Sequence, residues 1–316
     1  MFVWKDDLYV PGADLWLDPK RRRRRAFVSH AHGDHIGRHD EIYATHATAS
    51  LMGARLGPQN VVELEFGAWR ELENGWRLRL HPAGHVLGAA QAELERDGER
   101  LVYTGDFRLE ESATCAPAAI VPCELLVMEC TFGKPNYRFP PRREVVPQIA
   151  AELRRVLDDG GTPVLLAYAL GRAQELMKLL EPYDFRLAIA PQIHTMVQVY
   201  ERLGVRFGPY ELARPGETEG RVLFVPPHAS TSKLVTAARR PVLIAATGWA
   251  QGGSPPYASD RSYTFSDHAD FDELVRYVER ARPREVYTMH GFDEFRDHLR
   301  RLGFAAHPVT ARVTTR

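Results

Sequence analysis

Three histidines and an aspartate, His30, His32, Asp34 and His35, fall within six consecutive positions of this chain. They lie in Ser29-His30-Ala31-His32-Gly33-Asp34-His35-Ile36-Gly37, directly after the apolar run Ala26-Phe27-Val28. Alternate side chains of an extended segment share a face, so His30 and His32 point the same way. Gly33 permits a sharp turn that brings Asp34 and His35 round to a second point. Imidazole nitrogens with a carboxylate oxygen suit zinc, manganese or iron. The pattern reads as half of a two-metal site; the competing reading is a polar, histidine-rich surface loop.

A second cation needs ligands from elsewhere in the chain. His85 lies in Pro82-Ala83-Gly84-His85-Val86-Leu87-Gly88, and Asp106 follows Leu101-Val102-Tyr103-Thr104-Gly105. A carboxylate beside a glycine that admits close backbone approach suits a bridge between two cations. His290, in Met289-His290-Gly291, again follows an apolar run. Singly, each is more often a capped turn residue than a ligand. Their joint occurrence, each at a strand end, favours the metal reading.

Short strands must carry these residues. The first 133 residues read as strands and loops, with strands at 63–66 and 76–80 and a helix at 47–56. A hairpin of 89–94 and 101–104 turns at Asp97-Gly98. Beyond Pro140 the pattern becomes strand–helix alternation. Helices at 144–158, 173–180 and 194–203 and strands at 164–168, 186–190, 221–225 and 242–246 predict a small parallel-sheet unit. A Gly/Pro-rich connection at 248–256 precedes a helix at 271–280, a strand at 285–289 and a helix at 294–302. The segment 134–256 therefore reads as an insertion into a domain formed by 1–133 and 257–316.

With these motifs in order, the chain resembles the metallo-β-lactamase fold, through His30, His32, Asp34, His35, His85 and Asp106. Glu129 (in Met128-Glu129-Cys130-Thr131-Phe132-Gly133), His268 (in Phe265-Ser266-Asp267-His268-Ala269-Asp270) and His290 match three further motifs of the β-CASP nucleases. The stretch Tyr168-Ala169-Leu170-Gly171-Arg172-Ala173-Gln174-Glu175 is similar to their cap signature. The resemblance covers essentially the whole chain. It implies an α/β fold: an αββα sandwich with its metals at the sheet edges and an inserted β-CASP cap. Among these nucleases the chain is most similar to the bacterial DNA-ligase-associated exonucleases, through Thr114-Cys115-Ala116-Pro117, Val121-Pro122-Cys123, Tyr137-Arg138-Phe139-Pro140 and Ser266-Asp267-His268. RNA-processing relatives usually carry alanine in place of Asp267.

The resemblance implies two divalent metal ions per chain, Zn²⁺ or Mn²⁺. It assigns His30, His32, His85 and Asp106 to one and Asp34, His35, Asp106 and His290 to the other, with Asp106 bridging. A cation pair ~3.5–4 Å apart lowers the pKa of a shared water and grips phosphoryl oxygens. The resemblance also implies that His268 contacts the scissile phosphate or acts as general acid, oriented by Glu129. Asp267 and Asp270 either share that duty or cap the helix near Phe271. Gly171 and Arg172, between a strand and a helix, suit a phosphate site as well as a plain capped turn. Gly252 and Gly253 either let backbone approach substrate or form a flexible return. The run Lys20-Arg21-Arg22-Arg23-Arg24-Arg25 is either a phosphate-binding patch or a solvated turn. His39, His46, His81, His194, His228, His298 and His307 match no ligand motif.

Bulk properties agree. The 316 residues balance 41 basic against 41 acidic side chains, which argues against a basic sheath along nucleic acid but leaves room for a local patch. Three cysteines without CxxC spacing argue against a disulfide framework and for a reducing compartment. Residues 1–7 hold no apolar signal core, and no run approaches the ~18 residues of a membrane span. These features predict a cytoplasmic protein with no membrane association. The expected activity is metal-dependent exonucleolytic cleavage of single-stranded DNA, from the 5′ end, in repair, in association with an ATP-dependent DNA ligase and a helicase. An RNA-processing β-CASP nuclease is the alternative. A ligand-poor, non-catalytic β-CASP subunit fits less well because no ligand is missing. A small-molecule metallo-hydrolase fits less well because of the cap and the Glu129, His268 and His290 set.

Overall fold

In the computed structural model, which describes residues 1–253 and 257–310, the chain divides into two units. One comprises Met1–Pro135 and His268–Arg316, the other Asn136–Asp267. The first is built on two sheets. A six-stranded sheet runs in sequence order from Val3–Trp4 through Leu15–Leu17 and Arg25–Phe27 to Val61–Glu63. A seven-stranded sheet has the order Ala305–Pro308, Glu285–Gly291, Leu125–Cys130, Glu99–Tyr103, Ala90–Arg96, Arg77–Pro82, Trp69–Glu71. Strand alternation divides its side chains between two cores. Leu125 and Val127 join Leu101, Tyr103, Leu15, Leu17 and Phe27 between the sheets. Leu126 and Met128 face the opposite way, onto Phe271, Leu274, Tyr277 and Val278 of the helix Phe271–Ala281 and onto Phe295 and Leu299 of Asp293–Arg301. Helix His46–Leu56 buries Thr48, Leu51 and Met52 and runs against Val61–Glu63.

The strands that carry the candidate ligands are aligned. Glu99–Tyr103, Leu125–Cys130 and Glu285–Gly291 pair in parallel, so Asp106, Glu129 and His290 come at the same sheet edge. The hairpin turns at Asp97 and Gly98, both with positive φ (55° and 83°), as expected of a two-residue turn. The strand expected at 63–66 lies earlier, at Val61–Glu63, and Phe66 forms only an isolated bridge with Leu80.

The second unit holds a six-stranded sheet in the order Tyr210–Leu212, Leu187–Ile189, Val222–Val225, Thr162–Leu166, Pro241–Ala246, Arg261–Tyr263, parallel throughout. A parallel sheet is buried on both faces. Leu165, Ile189, Phe224 and Ile244 pack with the helices on one side, and Val164, Leu166, Leu223 and Val225 with Val235 on the other. This unit ends at Asp267, not at 256, because Arg261–Tyr263 adds an edge strand to its sheet. Part of the 248–256 connection, residues 254–256, lies outside the described residues.

Candidate metal centre

The strand Arg25–Phe27 delivers His30 to a buried position, and the Ser29–His30 segment is fixed by Asp18. The Asp18 carboxylate accepts from the Ser29 amide (2.7 Å), the Ser29 hydroxyl (2.5 Å), the Tyr103 hydroxyl (2.8 Å) and His35 Nδ1 (2.7 Å). With Nδ1–H donating to Asp18, His35 turns Nε2 towards Asp106, 3.4 Å away. Ring orientation by an outer carboxylate is what a metal-ligating imidazole requires. Sequence reasoning did not single out Asp18. Its signal is slight: one carboxylate after the strand Leu15–Leu17, with a left-handed φ of 44°.

Four donors converge. His30 Nε2 lies 3.0 Å from His32 Nδ1, which lies 3.0 Å from His85 Nε2, and Asp106 Oδ2 is 3.6 and 3.8 Å from His30 and His85. Zinc held tetrahedrally at ~2.1 Å separates its ligand atoms by roughly 3.4 Å, so these spacings suit one cation. Two of the four donors, His30 and Asp106, have pKa shifts in the direction that suits it. Burial, aided by neighbouring His35, pushes the His30 pKa well below the usual imidazole value. Burial opposes ionisation of Asp106, yet His35 and His268 outweigh it and hold that carboxyl well below the usual range. For His35 burial is likewise outweighed, by Asp106 and Asp18, and its pKa lies well above the ordinary value.

The ligands expected for a second cation are more open. Asp34 Oδ2 lies 3.8 Å from His35 Nε2, but its side chain is 72 % exposed. The His290 ring is 6.2 Å from that of His35, centre to centre, and His290 is also exposed. A pocket of about 370 Å³ opens here, lined by Asp34, His35, Met289, His290 and Arg296 among others. On the other side His268 donates from Nδ1 to Glu129 Oε1 (2.9 Å), leaving Nε2 4.0 Å from Asp106 Oδ2. Glu129 is buried and also accepts from the amides of Phe107 and Thr131. Asp270 caps the helix Phe271–Ala281 in a reciprocal box with Glu273.

Two glycines bring the motifs together. A Cβ on Gly105 would sit 2.6 Å from Ser29 Cβ, and one on Gly84 would sit 2.1 Å from the Arg108 carbonyl oxygen; both residues have positive φ. Gly105→Ala should lower stability by about 2–4 kcal/mol and weaken metal uptake, because strain and overlap act together. Thermal melting with metal titration checks this; an unchanged melting point would remove the close approach as a requirement.

The chain is similar to several known proteins. Residues 261–313 match the family model described as Zn-dependent metallo-hydrolase RNA specificity domain (RMMBL). A protein of Opitutus terrae named "Probable DNA ligase" is 41 % identical over 307 residues, covering 95 % of this chain and 30 % of that protein. A Thermus thermophilus ribonuclease is 30 % identical over 283 residues, covering 76 % of this chain and 64 % of its own length. An RNase J-like protein of Methanocaldococcus jannaschii is 31 % identical over 180 residues, covering 49 % of this chain and 43 % of the relative. The chain belongs to the β-CASP proteins of the metallo-β-lactamase fold. It spans less than two thirds of the length of each of these relatives.

In this β-CASP protein the other candidates have local roles. Arg172 is buried and its guanidinium donates to Asp267. The Gly171 amide donates to Gln174 Oε1 (2.7 Å) rather than standing free. A Cβ on Gly252 would meet the Tyr137 hydroxyl at 2.9 Å, and Gly253 ends a 3₁₀ turn with φ 78°; neither role needs a substrate. Each arginine of 21–25 is paired: Arg21 with Asp6, Arg22 with Asp40, Arg23 with Asp7, Arg24 with Asp14, and Arg25 with Glu41 and Glu73. That matching favours the solvated turn over an open phosphate patch. His46 pairs with Glu63 at the surface. Among the described residues no helix is long and apolar enough to cross a membrane.

Proposed function

We propose that this chain is a metal-dependent nuclease, a DNA exonuclease that trims single strands from the 5′ end during repair. The observation that carries the reading is the His268–Glu129 pair, whose Nε2 stands 4.0 Å from Asp106 Oδ2 beside a four-donor metal set. His30, His32, His85 and Asp106 would hold one cation, and Asp34, His35, Asp106 and His290 the other, Zn²⁺ or Mn²⁺ in each case. Bound cations would supply an activated water and neutralise charge on the phosphoryl group. As water adds at phosphorus and the bond to the leaving oxygen breaks, His268 Nε2–H gives that oxygen its proton, while Glu129 holds the Nδ1–H side of the ring.

DNA as substrate, and a working association with an ATP-dependent DNA ligase and a helicase, are favoured by the 41 % identity to a protein named as a DNA ligase over most of this chain. A cytoplasmic location accords with three free cysteines, of which Cys123 and Cys130 are buried thiols pushed up to about 12 by burial. RNA is the second reading, favoured by the RNA-specificity family model and by relatives named as ribonucleases. One experiment separates them. Single-stranded DNA, duplex DNA and RNA of one sequence, labelled at either end, are incubated with Mn²⁺, Mg²⁺ or Zn²⁺. Mononucleotide release from 5′-labelled single-stranded DNA is expected. Faster RNA cleavage would transfer the assignment to RNA, and internal cuts would remove the exonuclease reading.

A further inference from the structure

Two arginines of the second unit converge on the three residues that precede His268. Arg142, first residue of the helix Arg142–Asp158, donates to the Ser266 carbonyl oxygen (2.5 Å) and lies 3.6 Å from the Phe265 ring centre. The same Nη2 and the Nε of Arg142 also donate to Glu175 at 2.9 and 3.2 Å. Arg172, first residue of the helix Arg172–Leu180, donates to the Asp267 carboxylate and to the Ala246 carbonyl oxygen (3.4 Å). Phe265, Ser266 and Asp267 are buried but belong to neither helix nor strand. The Phe265 amide donates to the Thr247 carbonyl oxygen (3.3 Å), and the two guanidinium groups add anchors at Ser266 and Asp267.

Stability alone is a poor reason for this arrangement. A cation at the first position of a helix opposes the helix dipole, and both arginines occupy such a position. The Arg172–Asp267 pair is almost wholly buried, with side chains 4 % and 2 % exposed. Buried ion pairs of this kind are often replaced by apolar residues without loss of stability, whereas they fix geometry well. The peptide bond that follows Asp267 leads directly to His268. Downstream, the Ala269 amide donates to the Phe107 carbonyl oxygen (2.6 Å) and Asp270 caps the next helix, so His268 is anchored on its C-terminal side as well.

We propose that Arg172 and Arg142 are positioning residues for His268, acting through Asp267 and Ser266. The proposal rests on the nuclease reading for its kinetic consequence but not for its structural one. The double variant Arg172→Met/Asp267→Leu removes the ionic anchor and replaces it with apolar volume. In the metal-loaded protein it should keep its metal content and its KM within about twofold, while kcat falls about ten- to a hundredfold, as for other lost supporting contacts. In protein labelled with ¹³C-histidine, the His268 ring signal should shift or broaden while that of His46 stays in place. An unchanged His268 signal with wild-type kcat would overturn the proposal, and so would loss of metal in step with kcat. Should wild-type protein cleave no nucleic acid, the nuclease reading fails and the ring signal decides the positioning role alone. If the double variant does not fold, Arg172→Lys keeps the buried charge but loses the forked donor. A fall in kcat and a moved His268 signal at an unchanged melting point then support the proposal, and wild-type values for both overturn it.

Discussion

Asp106→Ala will reduce phosphodiester cleavage by at least about a thousandfold, roughly 4 kcal/mol of transition-state stabilisation, while leaving the fold in place. The effect is large because one carboxylate oxygen stands among four imidazoles, 3.4 Å from His35, 3.6 Å from His30, 3.8 Å from His85 and 4.0 Å from His268. Asp106 thus lies beside members of both proposed ligand groups and beside the proposed proton donor. Alanine removes the only carboxylate of the four-donor set and leaves three neutral donors, so metal stoichiometry should fall along with turnover. Asp106→Asn keeps the shape without the charge and should behave similarly. Circular dichroism and metal analysis on the same samples complete the measurement; near-wild-type turnover would refute the bridging role. Metal-free protein offers a check with a defined sign. Because the folded carboxyl lies below its ordinary pKa, its contribution is present above the ordinary carboxylate range and disappears as pH falls through the folded value. Any stability difference between wild type and Asp106→Ala should therefore shrink in acid.

The parts of this centre that were legible in the sequence are those encoded locally. His30, His32 and His35 share one short segment, and His85 and Asp106 each follow an apolar strand and a glycine, so spacing and turn chemistry marked them as candidates and the resemblance joined them into one ligand set. The parts that were not legible depend on partners distant in sequence. Asp18 looks like an ordinary turn residue until Ser29, His35 and Tyr103 are seen to donate to it. Arg172 follows a glycine at a helix start, the usual setting for phosphate, and only its pairing with Asp267, 95 positions away, shows where its charge goes. The arginine run was ambiguous for the same reason, since its carboxylates come from separate loops and strands. The late boundary at Asp267 has another cause. Arg261–Tyr263 is a polar edge strand of three residues, Arg-Ser-Tyr, with no apolar run to announce it.

His268→Ala should lower turnover about a hundred- to ten-thousandfold, the usual range for a lost general acid, with little change in metal content. Two contacts set that expectation. His268 Nε2 stands 4.0 Å from the nearer Asp106 oxygen, while in the metal set His30 and His85 each lie 3.0 Å from His32 and 3.6 and 3.8 Å from Asp106. Its Nδ1 side is taken by Glu129, which is itself fixed by the amides of Phe107 and Thr131. A ring held in this way presents one nitrogen to the reacting group and is not required to complete the four-donor set. Glu129→Gln should fall in the same direction by a smaller factor, because the amide can still accept from Nδ1–H but no longer favours the charged ring. Substrates with a better leaving group test the assignment most directly. A p-nitrophenyl phosphodiester needs little protonation of its leaving oxygen, so His268→Ala should lose far less activity on it than on DNA, whereas Asp106→Ala should lose as much on both. Equal losses for His268→Ala on the two substrates would remove it as the proton donor, and loss of metal from the same variant would make it a ligand instead.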